Sequence, residues 1–587
     1  MLAINKVNNN RVKIVYIGIL SLFLIFVIRL FMLQIIKHDE YQSQALETQL
    51  KKFVIPAQRG EIYLQDNSGY TPLVLNETKH LLWVDPQFIN NVDYLVSQVN
   101  PIIKRNARDL NDQISQSKER YLKIADEINL EDAQKIKDLD LAGLGLVEYS
   151  SRVYPEDSLA SHVLGFVNAD GDGQYGLEQH YDQLIGGKDG QFKAVTDTNG
   201  VPLRASDDNV LDDPVNGSRI NLSLERTLQS TVEDIIESNT LELGAKSASA
   251  IIMNPDTGEV VAMANYPAFN PKDYVKIAND GQERVFNNIA VDTPYETGSV
   301  VKIFTMATAL NNGVVRPSDT WYDAARVTID DYDIENVEGG AGVKTIKSII
   351  TESLNTGTVH LLGELGEGSI NGTAKNVLHD SFVNNFGYGQ LTGIELANEQ
   401  IGVVPEADNV SDITYANMTF GQGMTNTMIQ IASGFGGLIN GGTQFQPTII
   451  ESIIDEDGNS LNTEPRVLRE NTVTPEVSKQ LRDMLISVVE QDYLKNQLTR
   501  KGYEIGGKTG TAQVPLSDGT YSDTLEIGSF VGYIDNNQGD RYVVMTRIDQ
   551  PQIAGYAGGG AAAPMFGEIA QYLIDYYGIS PNKELLQ

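Results

Sequence analysis

SASAIIMNPDTGEVVAMAN, residues Ser247 to Asn265, decides the fold. Two short apolar runs flank Asp256-Thr257-Gly258, a turn signal, so the stretch reads as a β-hairpin. A second strand pair, IGSFVGYID and DRYVVMTRID (Ile527 to Asp549), brackets Asn536-Asn537-Gln538-Gly539. Strands near both ends of a region rich in helical patterns predict one sheet assembled from distant parts of the chain. Around them, RINLSL (Arg219 to Leu224) alternates as a strand and RTLQSTVEDIIES (Arg226 to Ser238) runs as a helix. GEIAQYLIDYYG (Gly567 to Gly578) closes as an amphipathic helix. The expected class is α/β (α+β), an antiparallel sheet between helices, occupying residues 216–580 with a short tail at 581–587.

Upstream the pattern changes. Residues 37–215 carry short β-like runs with turn signals, such as RGEIYLQDNSGYTPLVL (Arg59 to Leu75) and KHLLWVDP (Lys79 to Pro86). Between about residues 92 and 140 the pattern becomes charged and helical, with Ile114, Tyr121, Ile124 and Ile128 expected along one helical face. This predicts a helical insertion in a β-rich stalk. ASDDNVLDDPVNGS (Ala205 to Ser218) is acidic and turn-rich, marking either a hairpin loop or the junction to the larger domain.

Residues 14–36, IVYIGILSLFLIFVIRLFMLQII, are long enough to cross a hydrocarbon layer of roughly 30 Å at about 1.5 Å per residue. Arg29 lies near the end of the stretch, where a long side chain reaches the interface. No small-residue cleavage site follows, which favours an uncleaved anchor over a signal peptide. Lys6, Arg11 and Lys13 precede the span without an acidic residue, whereas Lys37, Asp39 and Glu40 follow it mixed. The expected orientation is a cytoplasmic tail at 1–13 and the bulk of the chain outside. No later stretch reaches 18 apolar residues, so a single pass is expected.

Of 587 residues, 78 are acidic and 44 basic, a net charge of −34 that repels phosphate backbones and argues against nucleic-acid binding. The absence of cysteine removes disulfides, thiolate nucleophiles and Cys-based zinc sites. Six histidines without HxxxH or HExxH spacing predict no histidine metal site.

Three elements carry chemistry. In ETGSVVKIFTMATAL (Glu296 to Leu310), Ser299 opens a helix and Lys302, three residues on, shares its face. A serine hydroxyl needs a base, and lysine serves as one only when burial and neighbouring positive charge destabilise its ammonium. The helix N-terminus also offers free N–H groups to a developing oxyanion. In ESLNTG (Glu352 to Gly357), Ser353 could relay a proton and the Asn355 carboxamide could orient the lysine and a substrate amide; a cap or turn role is the ordinary alternative. In EIGGKTGTAQV (Glu504 to Val514), the glycines predict a strand that another backbone approaches closely at Gly510, with Lys508 a second cation and hydroxyls for a carboxylate.

Two motifs are decoys. Gly502 to Thr509 spells a phosphate loop, but Gly510, Thr511, Val514 and Pro515 follow where a helix is required. NADGDGQYGLEQ (Asn168 to Gln179) imitates a calcium loop yet ends in Gln179 rather than a bidentate glutamate, so a turn-rich loop is expected.

S-x-x-K, S-x-N and K-T-G-T in this order, about 50 and 150 residues apart, form the serine–lysine set of penicillin-binding proteins and β-lactamases. The chain resembles a class B penicillin-binding protein. The resemblance extends to RLFMLQIIKHDEY (Arg29 to Tyr41), RGEIY (Arg59 to Tyr63), YGLEQHYDQLIGGKDG (Tyr175 to Gly190), MNPDTGEVVAMANYPAFNP (Met253 to Pro271) and TFGQGMTNTMIQIASGFGGLINGG (Thr419 to Gly442). The ending, with SFVGY (Ser529 to Tyr533) and GGGAAAPMFGEIA (Gly558 to Ala570), is most similar to the septal, cell-division branch. One departure is Thr297, where the family usually has proline.

The resemblance implies a stalk of dimerisation type and a peptidoglycan D,D-transpeptidase that cross-links stem peptides through a serine acyl-enzyme. It implies Ser299 as nucleophile, Lys302 as base, Ser353 as proton relay, Asn355 as positioner of the donor and Lys508 as the charge depressing Lys302. Thr509, Gly510 and Thr511 would bind substrate, and the backbone N–H groups of Ser299 and Thr511 would form the oxyanion hole. It implies no metal or cofactor. Expected partners are lipid-linked precursor strands, β-lactams as covalent inhibitors, a SEDS-type membrane glycosyltransferase and other division proteins, at the septal membrane. The alternatives are a side-wall transpeptidase, a β-lactam sensor and a silent division scaffold.

Overall fold

The computed structural model describes residues 9–38, 41, 50–66, 69–195, 210–337, 339–516, 520–552 and 557–586. Most of the expected N-terminal tail and the first five residues of the acidic stretch lie outside these. Contacts divide the chain into two compact units: Met1–Gln58 with Gly187–Asn216, and Arg59–Gly186 with Gly217–Gln587.

In the first unit a helix at Asn9–Phe31 runs into a π-helical turn at Met32–Ile36. Over Lys13–Ile36 it is apolar and long enough to cross a membrane, with no part of it buried against protein. Its described strands form a three-stranded sheet, Leu50–Ile55, Gly190–Val195 and Val210–Asp212 in that order. The acidic stretch therefore supplies the arm of an antiparallel pair before the chain re-enters the second unit at Gly217.

The second unit contains a seven-stranded and a five-stranded sheet. The larger sheet joins stalk strands to strands from the far end of the sequence: Ile62–Asp66 pairs with Arg219–Glu225, which pairs with Ile450–Ile454. The predicted run at Arg59–Leu75 is a hairpin of Ile62–Asp66 with the start of Gly69–Val84, and that long strand continues through the second predicted run as far as Val84. A buried ion triad ties the stalk together. Glu178, fully buried, accepts from Arg59 Nε at 2.7 Å and Arg152 Nε at 3.0 Å.

The expected helical insertion needs correction in part. Helices occupy Val92–Ile103, Ala107–Gln116 and Leu130–Asp138, but Leu122–Ile128 between them is a strand. Ile114 is buried from a helix, whereas Ile124 and Ile128 are buried from that strand and Tyr121 precedes it, stacked on Trp83 at 5.0 Å. The strand's register against Gly69–Val84 shifts twice, and Glu127 has φ 52°. A bulged strand turns its apolar residues inward at irregular intervals, which imitates helical spacing.

The smaller sheet carries the candidate site. Helix α1 (Arg226–Glu242) leads into the predicted hairpin, β1 (Ser247–Met253) and β2 (Val260–Tyr266), whose turn closes with Gly258 at φ 84°. Helix α2 (Lys302–Asn311) and helix α3 (Asn355–Leu365) follow, and then β3 (Glu504–Pro515), β4 (Tyr521–Asp535), β5 (Arg541–Asp549) and helix α4 (Ala563–Tyr577). Strand order is β2-β1-β5-β4-β3, antiparallel throughout. Ser247 pairs with Asp549, so the predicted joining of distant chain segments holds. Among the described residues β3 ends the sheet, with no strand paired to its outer edge. The phosphate-loop match falls entirely in a loop and this strand, as its flanking residues predict. At Asn168–Gln179 a turn forms in which Asn168 Oδ1 accepts from the Asp170 and Asp172 N–H groups.

Candidate active site

Gly298–Val301 is a 3-10 turn that passes directly into α2. With three residues per turn, positions 299 and 302 eclipse one another, a closer stacking than the expected α-helical face. Val300, Val301, Ile303 and Phe304 are fully buried and anchor the turn, leaving Ser299 half-buried. Gly298 has φ 58°, its N–H donates to the Gly421 carbonyl at 3.2 Å, and a Cβ there would lie 2.5 Å from the Thr511 oxygen. Gly510 answers from β3: a Cβ would lie 2.5 Å from the Thr297 oxygen. The close approach read from the glycines is therefore real, and it presses the outer edge of β3 against the turn bearing Ser299. The Thr511 backbone nitrogen lies 3.3 Å from where a Gly298 Cβ would be.

Lys302 is 1% exposed and its Nζ donates to the Ser353 carbonyl at 2.5 Å and hydroxyl at 3.2 Å. Burial, with the nearby charge of Lys508, holds its ammonium pKa well below the ordinary lysine range. Ser353 has φ 55°, a left-handed conformation costing a non-glycine residue about 1–3 kcal/mol. That backbone turns both of its oxygens onto one amine. Its hydroxyl caps no helix, because the N-cap of α3 is Leu354, which makes no side-chain cap.

Asn355 is the first residue of α3, and its Nδ2 donates to the Glu335 carbonyl at 2.9 Å. The partners of the Lys302 ammonium nitrogen are thus on Ser353, and the Asn355 amide is held by the hairpin Arg326–Ile329 with Tyr332–Glu335. Lys508, also 1% exposed, donates to the Thr509 carbonyl at 3.0 Å and hydroxyl at 3.2 Å. Burial pulls its pKa down to about 7. Thr511 Oγ1 accepts from the Gly558 N–H at 3.1 Å. Both threonine hydroxyls accept here, so each retains its own proton to donate to an anion.

Segments separated by some 50 and 150 residues therefore meet: a serine at a helix N-terminus, a buried amine bonded to a second serine, and a second buried amine on the adjoining strand. This arrangement supports proton abstraction from a hydroxyl and binding of a carboxylate-bearing acyl donor along the open edge of β3. Sequence patterns missed the supports. Buried Asp323 and Thr356 form a cluster with half-buried Asn336 under α3, and Glu296 Oε1 accepts from the Gly423 N–H and the Tyr521 hydroxyl, both at 2.9 Å. Only the glycines of TFGQG hinted at such an approach.

The family description "Penicillin binding protein transpeptidase domain" matches residues 248–571, and "Penicillin-binding Protein dimerisation domain" matches residues 54–222. Stage V sporulation protein D of Bacillus subtilis is 30% identical over 571 residues, covering 96% of this chain and 85% of that protein. Peptidoglycan D,D-transpeptidase FtsI of Escherichia coli K12 is 28% identical over 558 residues, covering 94% and 89%. Among solved structures, penicillin binding protein 3 from Mycobacterium tuberculosis, complexed with aztreonam, aligns with a TM-score of 0.67 at 25% identity, covering 91% of this chain and 99% of that one.

Proposed function

Since the chain belongs to the class B penicillin-binding proteins, serine-type peptidoglycan D,D-transpeptidases, we propose that Ser299 is the nucleophile and Lys302 its base. Ser299 Oγ attacks the penultimate D-Ala carbonyl of a donor stem peptide while Lys302, kept unprotonated by burial and by Lys508, takes the proton. The N–H groups of Ser299 and Thr511 receive the oxyanion. Ser353, bonded to the Lys302 amine, passes the proton to the departing D-Ala nitrogen. Asn355 positions the donor. Lys508 with the hydroxyls of Thr509 and Thr511 holds its terminal carboxylate, and Gly510 keeps the strand close. An amine from a neighbouring stem peptide then takes the acyl group, forming the cross-link and freeing Ser299. β-Lactams acylate the same hydroxyl.

The observation that carries this reading is the meeting of Lys302 Nζ with both oxygens of a strained Ser353 beside a second buried lysine. We assign residues 216–580 to the transpeptidase and 37–215 to the stalk. The apolar helix at 14–36 anchors the chain with residues 1–13 in the cytoplasm. We assign the enzyme to the division septum, beside a SEDS-type glycosyltransferase and other division proteins; the likeness to FtsI and the C-terminal pattern support this. A fluorescent penicillin should label the intact protein covalently and leave Ser299→Ala unlabelled; labelling of that variant overturns the assignment. Depletion in growing cells should give filaments, whereas rounding would point to side-wall synthesis.

A further inference from the structure

Asp323 lies at the end of the strand Thr320–Asp323, is 0% exposed, and has not figured in the chemistry above. A carboxylate removed from water is costly unless its oxygens are fully bonded. Oδ1 accepts from the Ala325 N–H and from the Thr356 hydroxyl, both at 2.8 Å. Oδ2 accepts from Asn336 Nδ2 at 2.9 Å. The other end of the Asn336 amide, Oδ1, accepts from the Thr356 N–H at 3.1 Å. Thr356 is the second residue of α3, next to Asn355, and Asn336 follows Glu335, whose carbonyl holds the Asn355 amide.

We propose that Asp323 is a positioning residue for peptide cross-linking, fixing the Ser353–Asn355 segment through the closed cycle Asp323–Asn336–Thr356. The inference rests on the role given above to that segment.

The cycle has a definite donor-to-acceptor order. Asp323 accepts from Asn336 and Asn336 accepts from the Thr356 backbone; the Thr356 hydroxyl, 2.8 Å from Asp323 Oδ1 and 2.9 Å from Asn336 Oδ1, gives its one proton to the charged carboxylate. Asp323→Asn is nearly isosteric but breaks the order. If the new amide nitrogen takes the place of Oδ2, it faces the Asn336 nitrogen, donor against donor. If Asn336 turns its amide over to relieve this, its nitrogen faces the Thr356 N–H instead. If the new nitrogen takes the place of Oδ1, it faces the Ala325 N–H. No orientation satisfies every group, so the hairpin end at Glu335–Asn336 separates from the start of α3. The Asn355 amide loses its fixed partner, and Ser353, two residues before it, loses its hold against Lys302.

The reciprocal change restores the order. With Asn336→Asp added, the new amide at 323 donates to the new carboxylate at 336, whose second oxygen still accepts from the Thr356 N–H. The charge moves by one residue and every bond in the cycle is re-formed.

The test uses the full-length protein and a fluorescent penicillin, measuring the limiting acylation rate and the half-saturating concentration separately at a temperature where thermal unfolding shows each variant folded. Asp323→Asn should lower the limiting rate about tenfold or more, the size expected when reacting groups lose their alignment, with the half-saturating concentration within threefold. The double variant Asp323→Asn/Asn336→Asp should recover most of that rate. Thr356→Ser should match wild type and Thr356→Val should resemble Asp323→Asn. An unchanged limiting rate in Asp323→Asn, or a folded double variant as slow as the single, overturns the proposal. Ser299→Ala, run alongside, reports on the acyl-enzyme reading independently, because labelling there refutes the nucleophile whatever Asp323 does.

Discussion

Gly510→Ala puts the closeness of β3 and the Ser299 turn to a quantitative test. The added methyl carbon would stand 2.5 Å from the Thr297 oxygen, 2.8 Å from Val300 Cγ2 and 3.3 Å from the Val300 nitrogen. Ordinary contact begins at about 3.4 Å, so the two backbones must separate by about 0.9 Å. Neither side yields easily. Thr297 and Val300 are 1% and 0% exposed, Gly298 is fixed to the Gly421 carbonyl, and β3 is paired along its length with β4. The separation falls between the backbone N–H groups of Ser299 and Thr511, the proposed place of the acyl oxygen. Displacement of about 1 Å in a reacting geometry costs about a hundredfold in rate, while overpacking costs about 1–3 kcal/mol of stability. Time-resolved labelling with a fluorescent penicillin should therefore show an acylation efficiency near one hundredth of wild type, in a protein still cooperatively folded. Gly372→Ala, at the start of the helix Gly372–Asp380, is the control, since nothing lies within 4 Å of its added carbon. If folded Gly510→Ala acylates within threefold of wild type, the tight junction is not what aligns the site.

Other outcomes follow from burial. Lys508 loses its proton at about 7 in the folded chain, whereas an unfolded lysine keeps it to about 10.5. The unfolded state therefore holds more protons between these values, so stability climbs as pH rises from 7 towards 10; thermal melts should show this and Lys508→Met should make the climb shallower, Lys302 supplying the remainder, an unchanged slope counting against the burial argument. Thr297 carries a buried hydroxyl without a partner among the described residues, so Thr297→Val should stabilise by about 1 kcal/mol in denaturant unfolding, and destabilisation would show that the hydroxyl is bonded. Glu178→Ala leaves Arg152 without its carboxylate and Arg59 with Asp182 alone, and should cost about 3–5 kcal/mol; a loss under 1 kcal/mol would mean that water and Asp182 suffice for the two arginines.

The sheet was legible because its strands are short apolar runs closed by glycine turns, and its two hairpins announce themselves from opposite ends of the domain. The residues of the candidate site were legible because chemistry restricts them: only a few residue types can activate a serine when no histidine stands in a serine motif. The supports were hidden for the opposite reason. Asp323 stands in an exposed-looking run, DAARVTIDDYDIEN, where nothing in the composition distinguishes a buried carboxylate from four solvated ones. The bulged strand at Leu122–Ile128 misled for a local reason, since shifts of register erase the two-residue period by which strands are recognised. Asn355 had two readings, and its amide lies against Glu335, a residue 20 positions back that no spacing rule connects to it.

The centre of the five-stranded sheet joins Ser247–Met253 to Arg541–Asp549, so a ribosome must add roughly 290 residues after the first strand before it can make the second. At about 5–20 residues per second, that leaves the nascent hairpin with a bare edge for tens of seconds. For most of that interval Ser299 and Lys302 already exist, but β3, the strand beside them, follows only roughly 200 residues later. The site thus cannot assemble until β3 to β5 have been made, and in the meantime the open strand of the hairpin is the part most in need of a chaperone.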